Sequence, residues 1–397
     1  MRLTKLLIGL ALLAPATAAA DIPVPENDSF YAVPKGLKHV ANGTVLDSRK
    51  VDATSFGIPL PAQAWQVKYR TLDVHRRATA TVTTVLVPTQ AWPGTGKRPL
   101  VSYQTAEDGV SGKCAPSYVL RNGLASGTNN TAPESMVIGQ ALQRGIAVAV
   151  PDYEGPASEF LAARGEGRMV LDGIRAARRF KDAGLRGAPV GIWGYSGGAF
   201  ATSIAGQLQP KYAPRVKLAA IVLGGVPANV KDTIMSFDNL GLGGIIAMGF
   251  SSVSRAYPKM HLLDYLNEEG KAAVAAGSRD CIIEAGGRSF GRRLSDFESV
   301  PHAIDTPEIT SFLQRISPLG VPGTPAAPVY DYHAVLDELA KIGPDRELVA
   351  KYCAAGVKVQ HYEEQLGEHL SLVGSGAPAA IDYLADRFNG VPAPSTC

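Results

Sequence analysis

Short apolar segments alternate with amphipathic segments along most of the 397-residue chain. Alternating polarity and β-branched residues predict an early strand pair, and apolar runs predict the later strands, over residues 65–71, 78–87, 99–105, 146–150, 189–195, 218–223, 327–333 and 357–362. Apolar residues at helical spacing predict helices over residues 133–144, 165–181, 197–207, 347–355 and 378–387. Apolar strands that alternate with helices are typical of a parallel sheet covered on both faces, so the sequence predicts an α/β fold.

Three stretches interrupt this alternation. Residues 21–60 are rich in Pro, Gly and Asp and are predicted to form an irregular lead-in, and residues 109–131 are predicted to form a long loop. Between residues 227 and 326 the pattern predicts helical pieces and no convincing strand. Because an insertion of this size between two strands usually has a function, we predict a helical cap over residues 227–326. The cap would be inserted into an α/β domain formed by residues 21–226 and 327–397.

The first twenty residues have the pattern of a secretory signal. Arg2 and Lys5 precede a short apolar run, and small residues at 18–20 form a cleavage site. The run is too short to cross a bilayer, and no later stretch is long and apolar enough to do so. Cleavage would reduce the formal net charge from +3 to +1. We therefore predict an exported protein that begins near Asp21, and its near-neutral charge gives no reason to expect a nucleic-acid partner.

An even number of cysteines in an exported chain predicts disulfide bonds. The four residues allow three pairings: Cys114, Cys281, Cys353 and Cys397. Their spacing does not resemble a zinc site, and no cofactor is expected.

The segment Gly194-Tyr195-Ser196-Gly197-Gly198 has the Gly-x-Ser-x-Gly pattern of a nucleophile elbow. A serine on a tight turn between a strand and a helix leaves no room for side chains two residues before and after it. The following helix offers free N–H groups to a developing oxyanion. The motif alone also arises by chance, but the apolar strand before it and the small-residue helix after it favour a serine hydrolase with Ser196 as nucleophile.

A serine nucleophile needs a histidine base, and five histidines follow Ser196 in the chain. His261 and His302 fall in the predicted cap, and His333 and His361 lie within predicted strands, where they would point into the sheet packing. Only His369 follows the last strand, on a predicted loop. His369 is therefore the predicted base.

The triad acid should follow the strand that ends at His333. Asp337 has this position, whereas Asp331 lies inside the strand and Glu338 is a close competitor. A helix-capping carboxylate is the structural alternative for Asp337.

Several motifs in the right order resemble the secretory lipase family, of the yeast lipase A type. The main matches are Gly194–Ala199, Tyr332–Glu338 and Glu368–Leu370, and further matches are Tyr103–Asp108, Cys114–Tyr118, Leu171–Ala176 and Lys231–Thr233. The resemblance covers most of the chain from about residue 95. The 32-residue spacing between Asp337 and His369 also resembles the family.

The resemblance implies an α/β-hydrolase fold, with a mostly parallel sheet flanked by helices and a helical cap that holds an acyl tunnel. It implies the triad Ser196, Asp337 and His369, and an oxyanion hole formed by the backbone N–H groups of Asp108 and Gly197. The elbow and the turn after the third predicted strand, residues 99–105, suggest the same two donors. Yeast members continue past the last cysteine into a flap, whereas this sequence ends at Cys397. The resemblance therefore leaves interfacial gating and a preference for very long acyl chains open.

The resemblance also points to the disulfides Cys114–Cys281 and Cys353–Cys397. The first would tie the cap to the loop that follows the oxyanion turn, and the second would pin the C-terminal tail.

We therefore predict a secreted serine hydrolase that cleaves carboxylic esters, with a triacylglycerol as the favoured substrate. A short-chain or acetyl esterase is the alternative, and a non-catalytic binding protein with the same fold is a third hypothesis. We expect a monomer that makes at most transient contact with a lipid surface. Four apolar cap residues are predicted to line the acyl site: Leu242, Ile246, Met248 and Phe250.

Overall fold

The computed structural model describes residues 22–123 and 129–397. The predicted secretory signal lies outside the described residues. Among the described residues, no helix is long and apolar enough to cross a membrane.

The described strands form a nine-stranded sheet and a separate two-stranded hairpin. The strands are β1 Val45–Val51, β2 Thr54–Ser55, β3 Ile58–Pro59, β4 Ala62–Leu72, β5 Ala78–Pro88, β6 Leu100–Gln104, β7 Ala147–Pro151, β8 Val190–Tyr195, β9 Leu218–Gly224, β10 Val329–Ala334 and β11 Val359–Glu364. The order in the large sheet is β1-β4-β5-β7-β6-β8-β9-β10-β11. Six neighbouring strands of this order pair in parallel: β7, β6, β8, β9, β10 and β11. Strands β1, β4 and β5 form an antiparallel extension beside β7. The predicted mostly parallel α/β class is confirmed.

The described helices flank this sheet and fill the interval between β9 and β10. They are α1 Pro116–Asn122, α2 Thr131–Gln143, α3 Arg164–Arg179, α4 Gly197–Tyr212, α5 Val230–Asn239, α6 Gly243–Ala256, α7 Glu268–Ala276, α8 Ile282–Arg288, α9 Leu294–Phe297, α10 Pro307–Ile316, α11 Ile342–Ala354, α12 His369–Ser375 and α13 Ala377–Phe388.

The central strand β8 shows why both faces of the sheet are apolar. Successive side chains of a strand point to opposite faces. Ile192 belongs to the core that includes residues of α3, α4 and α11. Trp193 belongs to the opposite core with residues of α2 and α13, and its indole N–H donates to the Tyr332 hydroxyl over 3.2 Å. All six residues of β8 are therefore buried, which explains its continuous apolar sequence.

The carboxyl ends of the parallel strands meet at one edge of the sheet, where open α/β sheets bind ligands. Ser196 directly follows β8, and Asp108 lies four residues after β6. Asp337 and His369 follow β10 and β11, respectively. The strand order therefore gathers the predicted site residues, although they are up to 261 positions apart in the sequence.

Residues 225–328, all of which the structure describes, contain six α-helices, three short 3₁₀ helices and no extended strand. Side chains of α5, α6 and α10 share an apolar core with Phe200 and Ile204 of α4, so this helical segment packs on the helix behind Ser196. The segment also meets the loop after β6, because the Val110 N–H donates to the Asp280 carbonyl over 3.0 Å.

Both disulfides join the pairs that were predicted. Cys114–Cys281 links the loop after β6 to the helical segment, and Cys353–Cys397 links α11 to the C-terminal residue. The first bond lies beside the backbone bridge between Gly109 and Cys281. The second lies near the first residues of β11, at the sheet edge opposite the predicted site, since the Cys397 sulfur contacts the Val357 carbonyl over 3.5 Å.

Removing each disulfide should cost stability according to the length of chain that it closes. With sequence separations of 167 and 44 for the bonded cysteines, chain-entropy arguments predict losses of about 5 and about 4 kcal/mol in the free energy of unfolding. Paired serine substitutions and denaturant unfolding would measure both losses. Peptide mapping without reduction is the control, and a peptide that joins Cys114 to Cys353 would contradict the pairing.

The sequence did not predict strands β1, β2 and β3 or helices α1 and α12. Strand β1 lies in the predicted irregular lead-in, because it is an edge strand whose charged side chains mask the alternation. Arg49 of β1 pairs with Gln66 of β4 and donates to its side-chain carbonyl over 2.7 Å. Helix α1 lies in the predicted loop of residues 109–131 and begins at Pro116, which is a favourable first helical residue.

Candidate active site

Ser196 occupies a strained turn between β8 and α4. Its φ of 51° and ψ of −122° are rare for a residue other than glycine. A Cβ atom at Gly194 would overlap the Gly198 carbonyl, and one at Gly198 would overlap the Gln104 carbonyl. The two glycines of the elbow motif are therefore required by close backbone approach, as the sequence suggested.

The structure brings Ser196, His369 and Asp337 into one hydrogen-bonded chain. His369 Nε2 lies 2.8 Å from Ser196 Oγ, and His369 Nδ1 lies 2.7 Å from Asp337 Oδ2. His369 and Asp337 are buried, whereas Ser196 is partly exposed. The arrangement can move a proton from the hydroxyl to an imidazole whose other nitrogen is held by a carboxylate.

His369 does not lie on a loop, which corrects the sequence prediction. It is the first residue of α12, and the Glu368 carboxylate accepts hydrogen bonds from the N–H groups of Leu370 and Ser371. The Tyr195 hydroxyl also donates to the His369 carbonyl over 2.6 Å. The helix start and this bond fix the backbone from which the imidazole projects.

The Asp337 carboxylate is surrounded by donors. Its Oδ1 accepts the N–H groups of Leu339 and Ala340 over 3.0 and 2.6 Å, and His333 Nε2 lies 3.4 Å from its Oδ2. Burial by itself would raise the pKa of Asp337, but hydrogen bonds from His333 and His369 lower it to about 2. The carboxylate is therefore ionised across the neutral range.

The turn after β6 presents one unpaired N–H beside Ser196. The N–H groups of Ala106, Glu107 and Gly109 donate to Glu134, Tyr153 and Glu154, respectively. Among the described residues, the Asp108 N–H donates no hydrogen bond, and neither does the Gly197 N–H.

The two free N–H groups belong to residues in direct contact. A Cβ atom at position 197 would overlap the Asp108 carboxyl group, and Asp108 itself has a positive φ of 39°. These N–H groups match the predicted oxyanion donors, and the start of α4 adds the positive end of a helix dipole.

Glu134 holds the turn after β6, and it is not among the residues predicted from the sequence. Its carboxylate accepts the Tyr103 hydroxyl and the Ala106 N–H, each over 2.7 Å. Burial raises the pKa of Glu134 to about 8. The sequence feature that could have identified Glu134 is an acidic residue a few positions before the apolar residues Val137 and Ile138 of α2.

The Asp108 side chain is itself an unusual feature of the site. Its carboxyl group is buried, one oxygen has no hydrogen-bond partner in the described residues, and the other is 3.5 Å from the Asn130 amide nitrogen. Burial raises the pKa of Asp108 to about 7, although His369 and Asn130 act in the opposite direction. The raised pKa increases the neutral fraction of this carboxyl group and so reduces the negative charge beside Ser196.

A cavity of about 820 Å³ extends from Ser196 into the helical segment. Its wall is predominantly apolar and includes side chains from α5, α6 and α10. Of the four residues predicted to line it, Leu242, Ile246 and Phe250 do so. The prediction is wrong for Met248, which is fully buried in a separate cluster with Val110 and Ala285.

The remaining candidate groups lie outside the triad. The Glu338 carboxylate accepts a hydrogen bond from the backbone N–H of His369 over 3.3 Å. Among the described residues, it forms no hydrogen bond with the imidazole nitrogens of His369. Among the described residues, Asp331, Asp345 and His361 alone gather three atoms that could ligate a metal, within 4.8 Å of one another. His361 Nδ1 already donates to Asp331 Oδ1 over 2.9 Å, so we interpret this group as an ion pair.

Comparison with known proteins identifies relatives that are named as lipases. Residues 120–396 match the family model described as secretory lipase. A protein named a probable inactive lipase from Mycobacterium tuberculosis is 36% identical, with 93% of this chain and 83% of the relative covered. Lipase A of Arthroderma benhamiae is 35% identical, with 96% of this chain and 83% of the relative covered.

Two solved structures share the fold. Candida antarctica lipase A has a TM-score of 0.85 at 28% identity, with 95% of this chain and 89% of that chain covered. The rice cell wall degrading esterase LipA from Xanthomonas oryzae has a TM-score of 0.68 at 14% identity, with 87% and 99% covered, which shows the fold alone. The chain therefore belongs to the secretory lipase family and has the α/β-hydrolase fold of that family.

Proposed function

We propose that the chain is a secreted serine hydrolase that cleaves carboxylic esters through an acyl-enzyme on Ser196. The observation that carries the proposal is the hydrogen-bonded chain from Ser196 Oγ through His369 to Asp337, at 2.8 and 2.7 Å. Membership in the secretory lipase family supports the same reaction.

The groups of the site have distinct roles in this reaction. Ser196 Oγ attacks the ester carbonyl while His369 Nε2 accepts its proton, and ionised Asp337 stabilises the imidazolium that forms. The N–H groups of Asp108 and Gly197 bind the oxyanion. His369 then protonates the leaving alcohol, and water, activated by the same imidazole, releases the acid and restores Ser196.

The cavity supports a lipid ester, and a triacylglycerol in particular, as the substrate. A volume of about 820 Å³ with a mostly apolar wall accommodates a long hydrocarbon chain next to Ser196. An acetyl group would leave most of this space unfilled. The helical segment of residues 227–326 would thus act as a cap that provides the acyl site.

Export accounts for the two disulfides, which persist in oxidising compartments. The chain would be cleaved near Asp21 after an N-terminal signal and act outside the cytoplasm. N-terminal sequencing of the mature protein tests this part of the proposal.

A series of p-nitrophenyl esters with rising acyl length tests the reaction and the substrate together. We expect hydrolysis with a maximum at medium or long chains. A maximum at acetate would favour a short-chain esterase, and no hydrolysis of any ester would favour a non-catalytic protein. The absence of hydrolysis would be of specific interest because one relative is named a probable inactive lipase.

Filling the cavity from the cap should shorten the preferred acyl chain. Gly249 of α6 lines the cavity, and a Cβ atom there would meet no atom within 4 Å. The Gly249→Phe substitution therefore adds a side chain to open space, and we expect long-chain esters to lose about 10-fold or more in kcat/KM relative to butyrate.

Gly287→Phe provides the matched control for this substitution. Gly287 lies in α8, is exposed, is absent from the cavity wall, and has the same open surroundings. We expect its ester profile to equal that of the wild type. Identical profiles for both variants would contradict the assignment of the cap cavity as the acyl site.

A further inference from the structure

A second imidazole lies behind the triad acid. His333 is in β10, and its side chain is fully buried. Its Nε2 atom is 2.5 Å from the Ala340 carbonyl oxygen and 3.4 Å from Asp337 Oδ2. Its Nδ1 atom is 3.3 Å from Asp345 Oδ2 in α11. The ring thus touches the acid loop, the residues between β10 and α11, on one side and a buried carboxylate on the other.

These neighbours indicate that both ring nitrogens of His333 carry protons. A carbonyl oxygen can only accept, so Nε2 must donate to Ala340. Both oxygens of the Asp345 side chain and Nδ1 of His333 are buried and have no hydrogen-bond partner in the described residues. Asp345 Oδ2 lies closer to His333 Nδ1, at 3.3 Å, than to His361 Nδ1, at 3.9 Å. An unpaired buried carboxylate is costly, and a protonated Nδ1 facing it provides the opposite charge. Burial opposes this protonation, but Asp345 and Asp337 raise the pKa of His333 well above its ordinary value.

The imidazolium supports Asp337 through two routes. Directly, Nε2 faces Oδ2, the oxygen that accepts the proton of His369 Nδ1. Indirectly, Nε2 holds the carbonyl of Ala340, whose N–H donates to Asp337 Oδ1 over 2.6 Å. A shift of His333 would therefore disturb both oxygens of the carboxylate that orients His369.

We propose that His333, held by Asp345, is a positioning residue that fixes Asp337 and the acid loop for proton transfer at His369. This inference rests on the proposed ester hydrolysis. It extends the series of polar contacts behind Ser196 through the close pairs Asp337–His333 and His333–Asp345, beyond the three residues of the proposed triad.

The His333→Gln variant tests the proposal, because an amide can still donate to the Ala340 carbonyl but carries no charge. We expect kcat, normalised to active sites titrated with a phosphonate, to fall about 10- to 100-fold with KM unchanged. The downfield proton resonance of the His369–Asp337 hydrogen bond should also shift in the NMR spectrum. A merely structural role would lower stability and leave both readouts unaltered.

His361→Gln is the matched control. His361 in β11 also pairs with a buried carboxylate, Asp331, and its Nδ1 lies 3.9 Å from Asp345 Oδ2. Among the described residues, however, no hydrogen bond or ion pair joins His361 to His333 or to Asp337. We expect its kcat and downfield resonance to remain those of the wild type. If His333→Gln behaves in the same way, the proposal is wrong.

If His333→Gln does not fold, Asp345→Asn tests the positioning role instead, since it removes the charge that holds His333. The same two readouts should change in the same direction, and wild-type values, or a failure of this variant to fold as well, would overturn the positioning role. The proposed function fails separately, if the wild type hydrolyses no ester. In that case the downfield resonance still shows whether His333 positions Asp337.

Discussion

Replacing Ser196 with alanine should lower kcat/KM for ester hydrolysis by about 10⁵- to 10⁶-fold, with the fold intact. The change removes the only hydroxyl that hydrogen-bonds to His369 Nε2 among the described residues. The residual rate would come from the oxyanion donors and from substrate binding. Kinetics with the preferred nitrophenyl ester would measure the loss, and circular dichroism would verify the fold.

Ser203→Ala is the control for this substitution. Ser203 is a buried serine in α4 whose hydroxyl donates to the Phe200 carbonyl of its own helix. We expect wild-type turnover from this variant. A serine-directed phosphonate should label the wild type and Ser203→Ala at Ser196, and should not label Ser196→Ala. Label on another serine would disprove the nucleophile.

The sequence was most informative where chemistry and geometry impose the same residues. Gly194 and Gly198 are needed because backbone atoms occupy the space that a Cβ atom would take. The motif therefore indicates a packing constraint as well as a catalytic serine. The uniform apolarity of β8 likewise records burial on both faces. These local constraints, together with the order of strands, placed Ser196, Asp337 and His369 at one sheet edge.

Contacts between distant segments were harder to predict. Glu134 acts on the oxyanion turn from α2, and its role depends on the position of Tyr103 in β6. The sequence predicts that His333 points into the sheet packing. This prediction describes its burial but not its contacts with Asp345 and Ala340. Both are polar residues in buried elements, and only the tertiary structure shows what each one contacts.

The same reasoning explains the wrong prediction for Met248. It lies two residues after Ile246 and two before Phe250 in an apolar stretch, so the sequence does not distinguish the three. In α6, a step of two residues turns the side chain by about 200°, to the opposite side of the helix. Ile246 and Phe250 share the cavity face, whereas Met248 packs on Val110 and Ala285.

Replacing Asp337 with asparagine should lower kcat by about 10⁴-fold through a change of tautomer at His369. The N–H groups of Leu339 and Ala340 both donate to Oδ1, so they fix the carbonyl oxygen of the new amide at that position. Its NH₂ group then faces His369 Nδ1, which must become an acceptor. The proton moves to Nε2, and the imidazole can no longer accept the proton of Ser196.

Asp331→Asn is the matched control, because it makes the same change at a buried carboxylate in β10, the strand that precedes Asp337. Asp331 accepts a hydrogen bond from His361, so its loss should lower the free energy of unfolding more than it lowers turnover. Glu338→Gln tests whether the adjacent acid acts in place of Asp337. Glu338 accepts a hydrogen bond from the backbone N–H of His369 and not from its ring. Measurement of kcat and of denaturant unfolding for all three variants assigns the acid. If Asp331→Asn or Glu338→Gln shows the 10⁴-fold loss and Asp337→Asn does not, Asp337 is not the triad acid.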